Sequence, residues 1–287
     1  MNARVFDPRI CELGEGAFWH PERAQPFWFD ILGRRLLSRL DDGTELEWRF
    51  DEMVSAAGWV DENTLMIASE CRLMLFDLAT GADRTLCALE ADNRATRSND
   101  GRADPAGGFW IGTMGKAGQR GAGAIWRWYR GELRCLYPGI SIPNAISFAP
   151  DGKSACFADT PSRRVMRVAL DAQGWPKGTP ECWLDLNSAG LNPDGAVIDQ
   201  RGNLWLAQWG AGQVTCYAPD GQMLSALSVP AAHSSCPAFG GEGLQDLYCT
   251  SATEEIRQPG PLDGATFVAA GAAQGQAEHR VCLTAGA

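Results

Sequence analysis

Three polar side chains stand in short apolar or glycine- and proline-rich segments that are far apart in the chain. Glu15 lies in Leu-Gly-Glu-Gly, Asn144 in Ile-Pro-Asn-Ala-Ile, and Asp194 in Asn-Pro-Asp-Gly. Together they form an oxygen-only donor set with two negative charges, which suits a hard divalent ion such as Ca²⁺, Mg²⁺ or Mn²⁺. Each residue alone also fits a plainer role, as a turn residue or a solvated carboxylate, so the metal hypothesis requires that the three side chains meet.

A fourth segment, residues 97–107, adds possible substrate-binding groups. Arg97 and Asn99 are two positions apart, so in a strand their side chains point to the same face. A guanidinium and an amide on one face can bind carbonyl and hydroxyl oxygens. A structural turn alone explains the neighbouring Asp100 and Gly101, but it explains the pair of Arg97 and Asn99 less readily.

Histidine and cysteine usage narrows the chemistry. The histidines, at positions 20, 233 and 279, have no HExxH or HxH spacing, and no GxSxG motif for a Ser-His-Asp triad is present. We therefore expect the histidines to be structural. The ten cysteines are scattered without a CxxC pair, which favours buried structural thiols over disulfides.

A repeat runs the length of the chain and predicts the elements that position these residues. Six short apolar or aromatic runs recur 38 to 49 residues apart, centred on Trp28, Met66, Trp110, Cys156, Trp205 and Tyr248. Turn sequences such as Asp-Glu-Asn-Thr, Ala-Pro-Asp-Gly-Lys and Asp-Gln-Arg-Gly-Asn precede them. This period is typical of four-stranded propeller blades. We predict an all-β, six-bladed β-propeller in one domain, residues 1–287, rather than two β-sandwiches.

Composition excludes several partners and suggests a location. The formal net charge of −10 argues against nucleic acid, and no apolar run is long enough for a membrane helix. The charged N-terminal segment does not resemble a signal peptide, so we expect a cytoplasmic protein. The oligomeric state is left open by the sequence.

The same segments resemble the SMP-30/gluconolactonase/regucalcin family. The similarity covers nearly the whole chain in family order and is most specific in RSNDGRADPAG (97–107) followed by GTM, and in PDGAVIDQRGNLW (193–205). The resemblance implies a six-bladed propeller whose channel holds one divalent metal, bound by Glu15, Asn144 and Asp194. Ca²⁺ is the expected ion, although zinc also accepts carboxylate oxygens.

The resemblance also implies an activity, the hydrolysis of a sugar-acid lactone to the open-chain acid. Such a lactone is an internal ester, so a metal ion would stabilise the oxyanion and Asp194 would activate the attacking water. Arg97 and Asn99 would contact substrate oxygens. Two alternatives remain: a non-catalytic calcium-binding propeller, which would share the same ligands, and a related six-bladed esterase.

One segment departs from the family pattern. Animal members carry a longer acidic segment after GTM, whereas residues 115–123 here are short, basic and glycine-rich. Lys116 and Arg120 in this loop suggest a preference for an anionic lactone. The alternative is that both residues serve only solubility, and they would then confer no such preference.

Overall fold

The computed structural model describes residues 2–284 and consists of six four-stranded antiparallel sheets. The sheets are arranged as the blades of a β-propeller, which confirms the predicted fold class. Residues 1 and 285–287 of the predicted domain lie outside the described range. Two 3₁₀ turns, Thr160–Ser162 and Glu242–Leu244, are the helical elements of residues 2–284. In this range no helix has the length and apolar character needed to cross a membrane.

Five blades are continuous in sequence, each running from an inner to an outer strand. Blade 1 contains β2 (Gly14–His20), β3 (Gln25–Asp30), β4 (Arg35–Arg39) and β5 (Glu45–Arg49). Blade 2 contains β6 (Val54–Trp59), β7 (Thr64–Ser69), β8 (Arg72–Asp77) and β9 (Asp83–Ala88). Blade 3 contains β10 (Thr96–Ala103), β11 (Phe109–Gly115), β12 (Gly123–Tyr129) and β13 (Glu132–Ile140). Blade 4 contains β14 (Pro143–Phe148), β15 (Ser154–Asp159), β16 (Arg164–Leu170) and β17 (Pro176–Asp185). Blade 5 contains β18 (Asn192–Ile198), β19 (Leu204–Trp209), β20 (Gln213–Tyr217) and β21 (Met223–Ser228).

The sixth blade joins the two ends of the chain. It contains β22 (His233–Gly240), β23 (Asp246–Ala252) and β24 (Thr266–Ala269), and its outermost strand is β1 (Arg4–Asp7) from the N-terminus. The antiparallel pairing of β1 with β24 closes the ring.

The repeated apolar runs are the second strands of the blades, and the turn sequences before them connect first to second strands. Apolar clusters fill the interfaces between neighbouring blades. Phe18 and Phe29 of blade 1, for example, pack with Leu65 and Ile67 of blade 2. All ten cysteines, which fall within the described range, are unpaired, and five of them are buried, so they contribute apolar volume.

The segment 274–283 crosses the end of the channel at which the inner strands β14 and β18 terminate. Gln276 Nε2 donates to the carbonyls of Phe148, at 3.2 Å, and Ile198, at 2.8 Å, at the ends of β14 and β18. Trp59 Nε1 donates to the Glu278 carbonyl at 2.9 Å, and the Glu278 carboxylate forms an ion pair with Arg102 of β10. These contacts join several inner strands and close this end of the channel.

Candidate active site

A cavity of about 290 Å³ opens at the other end of the channel. Four different inner strands contribute to it, because the inner strand of each blade faces the channel axis. The five residues predicted from the sequence all line this cavity: Glu15 (β2), Arg97 and Asn99 (β10), Asn144 (β14) and Asp194 (β18). Residues separated by up to 179 positions are therefore brought together by the fold.

A β-bulge in each inner strand sets the direction of these side chains. In β2 the pairing with β3 shifts between Glu15 and Phe18, and the inner strands β10, β14 and β18 shift at the corresponding places. Gly16, next to Glu15, has φ 58°, and a Cβ there would lie 2.1 Å from the Ser55 carbonyl oxygen. Bulges re-aim side chains and are frequent beside active sites. The glycine allows both the conformation and the close approach of blade 2.

The two carboxylates of the set are buried side by side. Glu15 is 5% exposed and Asp194 is 3% exposed. Burial and, to a smaller extent, the nearby charge of Asp100 raise the pKa of Glu15 to about 8. Burial also raises the pKa of Asp194 well above its usual value, with Glu15 and Asp100 adding to the effect. Two adjacent buried acids favour a shared proton or a bound cation.

A chain of hydrogen bonds fixes the orientation of the side-chain amides of Asn99 and Asn144. Arg97 Nη1 donates to Asn99 Oδ1 at 2.8 Å, and Asn99 Nδ2 donates to Asn144 Oδ1 at 3.2 Å. Asn144 Nδ2 donates to Thr160 Oγ1 at 2.8 Å, and this hydroxyl in turn donates to the carbonyl of Pro193. Thr160 thus connects the Asn144 side chain to the strand that carries Asp194.

The donor set fits a hard divalent ion. Glu15, Asn144 and Asp194 present oxygen atoms to one cavity, and the paired buried acids lack a contacting basic side chain among the residues described. Within residues 2–284 no group of three or more His, Cys, Asp or Glu side chains is arranged to hold a metal. The candidate site consists of one amide and two carboxylates, a composition that suits Ca²⁺, Mg²⁺ or Mn²⁺ completed by water.

Two acidic residues near this site were not identified from the sequence. Asp100 lies within β10 rather than in a turn, and its buried Oδ2 accepts the Ile146 amide of the next blade at 2.8 Å. Burial raises the pKa of Asp100 to about 6. Glu254 follows β23 and lines the cavity. No motif marks Glu254, because it lies in a loop outside the repeated strands.

The basic loop between β11 and β12 contributes less charge than its sequence suggests. Lys116 lines the cavity, but its Nζ lies 2.5 Å from Glu70 Oε2 and is neutralised by it. Arg120 is exposed and lies outside the cavity lining. The histidines have structural contacts, as expected; His20, for example, is buried and its Nε2 lies 3.0 Å from the Asp61 carbonyl.

A family model described as the SMP-30/gluconolactonase/LRE-like region matches residues 13–253, which include the five predicted site residues. The chain belongs to this family. One relative is an L-arabinolactonase of Azospirillum brasilense, which is 34% identical to this SMP-30/gluconolactonase family member. The match covers 95% of this chain and 93% of the relative. A 6-deoxy-6-sulfogluconolactonase of Pseudomonas putida is 32% identical, covering 93% of each chain.

Solved structures of the SMP-30/gluconolactonase family show the same fold. The crystal structure of a calcium-binding protein, regucalcin, from Agrobacterium tumefaciens superposes with a TM-score of 0.96 at 38% identity. The match covers 98% of this chain and 97% of the regucalcin chain. The insertions and deletions that separate the two proteins are therefore small, and the propeller framework is shared along its full length.

Proposed function

We propose that this protein hydrolyses a sugar-acid lactone to the open-chain acid in a reaction that depends on one divalent metal. Its relatives include sugar lactonases, and the chain is a hydrolase of carboxylic esters of this class. The observation that carries the finer proposal is the convergence of Glu15, Asn144, Asp194, Arg97 and Asn99 on one cavity. Its volume, about 290 Å³, suits a monosaccharide-sized ligand.

Glu15, Asn144 and Asp194 would hold the ion. A divalent cation at this position supplies Lewis-acid stabilisation of the negative charge that develops on the lactone carbonyl oxygen. Ca²⁺ is the ion we favour, because the donors are oxygen atoms and the related regucalcin is described as calcium-binding. Zn²⁺, Mg²⁺ and Mn²⁺ are the ions to compare with it.

Asp194 would act as the general base. Its carboxylate lies in the cavity beside Glu15 and within the donor set proposed for the ion, so it could hold and deprotonate a water molecule next to that ion. The residue would accept a proton from the water that attacks the lactone carbonyl carbon, and that proton would then pass to the ring oxygen as the ester bond breaks. Arg97 and Asn99 would orient the ring hydroxyls and so lower the entropic cost of reaching the reactive geometry.

The unpaired cysteines support a cytoplasmic location, because free thiols persist in reducing compartments. A small-molecule lactone is the expected partner.

The main alternative to the lactonase function is a calcium-binding propeller without catalysis, which the relationship to regucalcin favours.

A panel of aldono- and uronolactones with a pH-indicator readout tests the proposal. We expect acid release by the untreated protein, loss of activity with a chelator, and recovery when one of the divalent ions is added back. Metal binding without acid release from any lactone would instead support the non-catalytic alternative, and chelator-resistant hydrolysis would contradict metal dependence.

A further inference from the structure

Glu254 presents a carboxylate to the cavity from a firmly held backbone. The amide N–H groups of Thr253 and Glu254 donate to the Glu12 carbonyl at 3.1 Å and 2.9 Å. His233 Nδ1 lies 3.0 Å from the Glu254 carbonyl oxygen. The His233 ring stacks on the Trp209 ring, with 4.1 Å between the ring centroids. Trp209 itself lines the cavity. The backbone that carries Glu254 is therefore connected to the cavity wall.

The Glu254 carboxylate has no contacting polar partner in the part of the chain that the structure describes. In residues 2–284 its carboxylate makes no hydrogen bond and no ion pair, although the residue is half-buried. Leu13, next to the strand that carries Glu15, forms a bridge with Ala252. This bridge and the Glu12 contacts fix the distance between the Glu15 strand and the Glu254 loop. A positioned, unpaired acceptor in a cavity is suited to ligand hydroxyl groups.

Among the residues described, the acidic side chains that line the cavity outnumber the basic ones by four to two. Lys116 is paired with Glu70, and the positive charge of Arg97 faces the negative charge of Glu254. An ion held by Glu15 and Asp194 would be offset by those two carboxylates. Exposed Glu255 adds a further negative charge to the cavity lining. A substrate carboxylate or sulfonate would therefore meet repulsion that neutral hydroxyl groups avoid.

We propose that Glu254 is a specificity-determining residue that accepts hydrogen bonds from ring hydroxyls and selects uncharged, polyhydroxylated lactones. This inference rests on the proposed lactonase function and names its substrate class. It is the opposite of the anionic preference suggested by the basic loop. Family membership does not set this property, since the Pseudomonas putida relative is named for a sulfonated lactone.

The selection follows from the acceptor chemistry of a carboxylate. Its two oxygens can accept hydrogen bonds from two neighbouring hydroxyls, and Arg97 supplies donors in the same cavity. A lactone that lacks the hydroxyl would leave Glu254 without its partner, and sites built for a hydroxyl discriminate strongly against analogues without it. The expected loss of kcat/KM on removing the carboxylate is roughly 10- to 100-fold, the scale of a hydrogen bond to a charged group.

The test compares wild type, Glu254→Ala and Glu254→Gln on D-glucono-1,5-lactone and on the acidic D-glucaro-1,4-lactone. We expect wild type to prefer the neutral lactone, and Glu254→Ala to lose activity on it mainly through KM. The loss should shrink on the monodeoxy lactone that lacks the contacted hydroxyl. Glu12→Gln is the matched control, because it removes a nearby exposed charge without removing a cavity group.

Binding of 1,5-anhydro-D-glucitol, measured by calorimetry, separates this inference from the lactonase proposal. Weaker binding to Glu254→Ala than to wild type supports the role of Glu254 in hydroxyl recognition. The inference is overturned if wild type prefers the acidic lactone. It is also overturned if Glu254→Ala changes both kcat/KM and the affinity for 1,5-anhydro-D-glucitol by less than twofold. If wild type binds 1,5-anhydro-D-glucitol through Glu254 but hydrolyses no lactone, the proposed lactonase function alone is overturned.

Discussion

The two ends of the propeller channel bury charge in opposite ways. At the closed end, Arg102 is paired with Glu278 from the C-terminal segment, and the side chains are 9% and 10% exposed. At the open end, two acids, Glu15 and Asp194, lie side by side and are buried at least as deeply, so their negative charges repel each other when both are ionised. Opposite charges in contact serve the fold, whereas like charges in contact oppose it and persist where function requires them. The closed end of the channel is therefore structural, and the open end carries the candidate site.

The largest expected effect is the loss of activity at the open end. Replacing Asp194 with asparagine removes the proposed base and one metal ligand, so kcat/KM should fall by roughly 10³-fold or more. The same change relieves repulsion with Glu15, so the melting temperature of the chelator-treated protein should not fall. Activity assays and thermal unfolding of one preparation check both statements. Retention of more than a few per cent of activity would contradict the role of Asp194.

The second effect belongs to the closed end and concerns stability. Glu278→Gln leaves the Arg102 guanidinium buried without its counter-charge, which should lower the free energy of unfolding by about 3 kcal/mol. Urea unfolding measures this change. The double variant Arg102→Met, Glu278→Leu is the control and should recover most of the stability. Because this pair lies away from the cavity lining, KM of the folded variant should remain unchanged; a raised KM would show that the two ends are coupled.

The third effect is the dependence of stability on pH in the metal-free protein. The folded state raises the pKa of Glu15 from 4.5 to about 8, so between these values it retains a proton that the unfolded chain releases. Stability should therefore decrease as the pH rises from about 4.5 to about 8, by a few kcal/mol in total. Thermal unfolding of chelator-treated wild type and Glu15→Gln across this range checks the sign. An equal slope in the variant would assign the dependence to other groups.

The smallest effect is expected in the basic loop. Arg120 is exposed and does not line the cavity, so Arg120→Ala should change kcat/KM less than about twofold on neutral and acidic lactones alike. Lys116→Ala leaves Glu70 without its partner and should reduce activity on the acidic lactone no more than on the neutral one. A selective loss on acidic lactones would restore the interpretation drawn from the loop sequence.

The sequence predicts this fold well where local patterns repeat. Each blade has a turn followed by an apolar second strand, so the six units are visible without tertiary information. The closing strand β1 has only four residues and no counterpart in the repeat, so its pairing with β24 depends on the ring as a whole. The assignment of residues 1–287 to one domain stays a prediction.

The candidate site is predictable only in part, for a similar reason. Glu15, Asn144 and Asp194 stand out because each interrupts an apolar or glycine-rich inner strand. Asp100 looks like a turn residue, since the bulge that places it inside β10 leaves no local mark. Glu254 and the Lys116–Glu70 ion pair involve loops of different blades, whose proximity the sequence does not encode locally. The roles of the metal ligands and of Arg97 and Asn99 stay predictions.

Calorimetric titration of Ca²⁺ into chelator-treated protein tests the central claim most directly, that three inner strands together bind one ion. We expect one ion per chain for wild type, and binding weakened by roughly 100-fold or more in Asp194→Asn, beyond the effect typical of losing an outer-shell partner. Asn144→Ala should also bind more weakly, and Glu278→Gln should bind as wild type does. Equal affinity in Asp194→Asn and wild type, or no binding of Ca²⁺, Mg²⁺, Mn²⁺ or Zn²⁺ by wild type, would contradict the metal site.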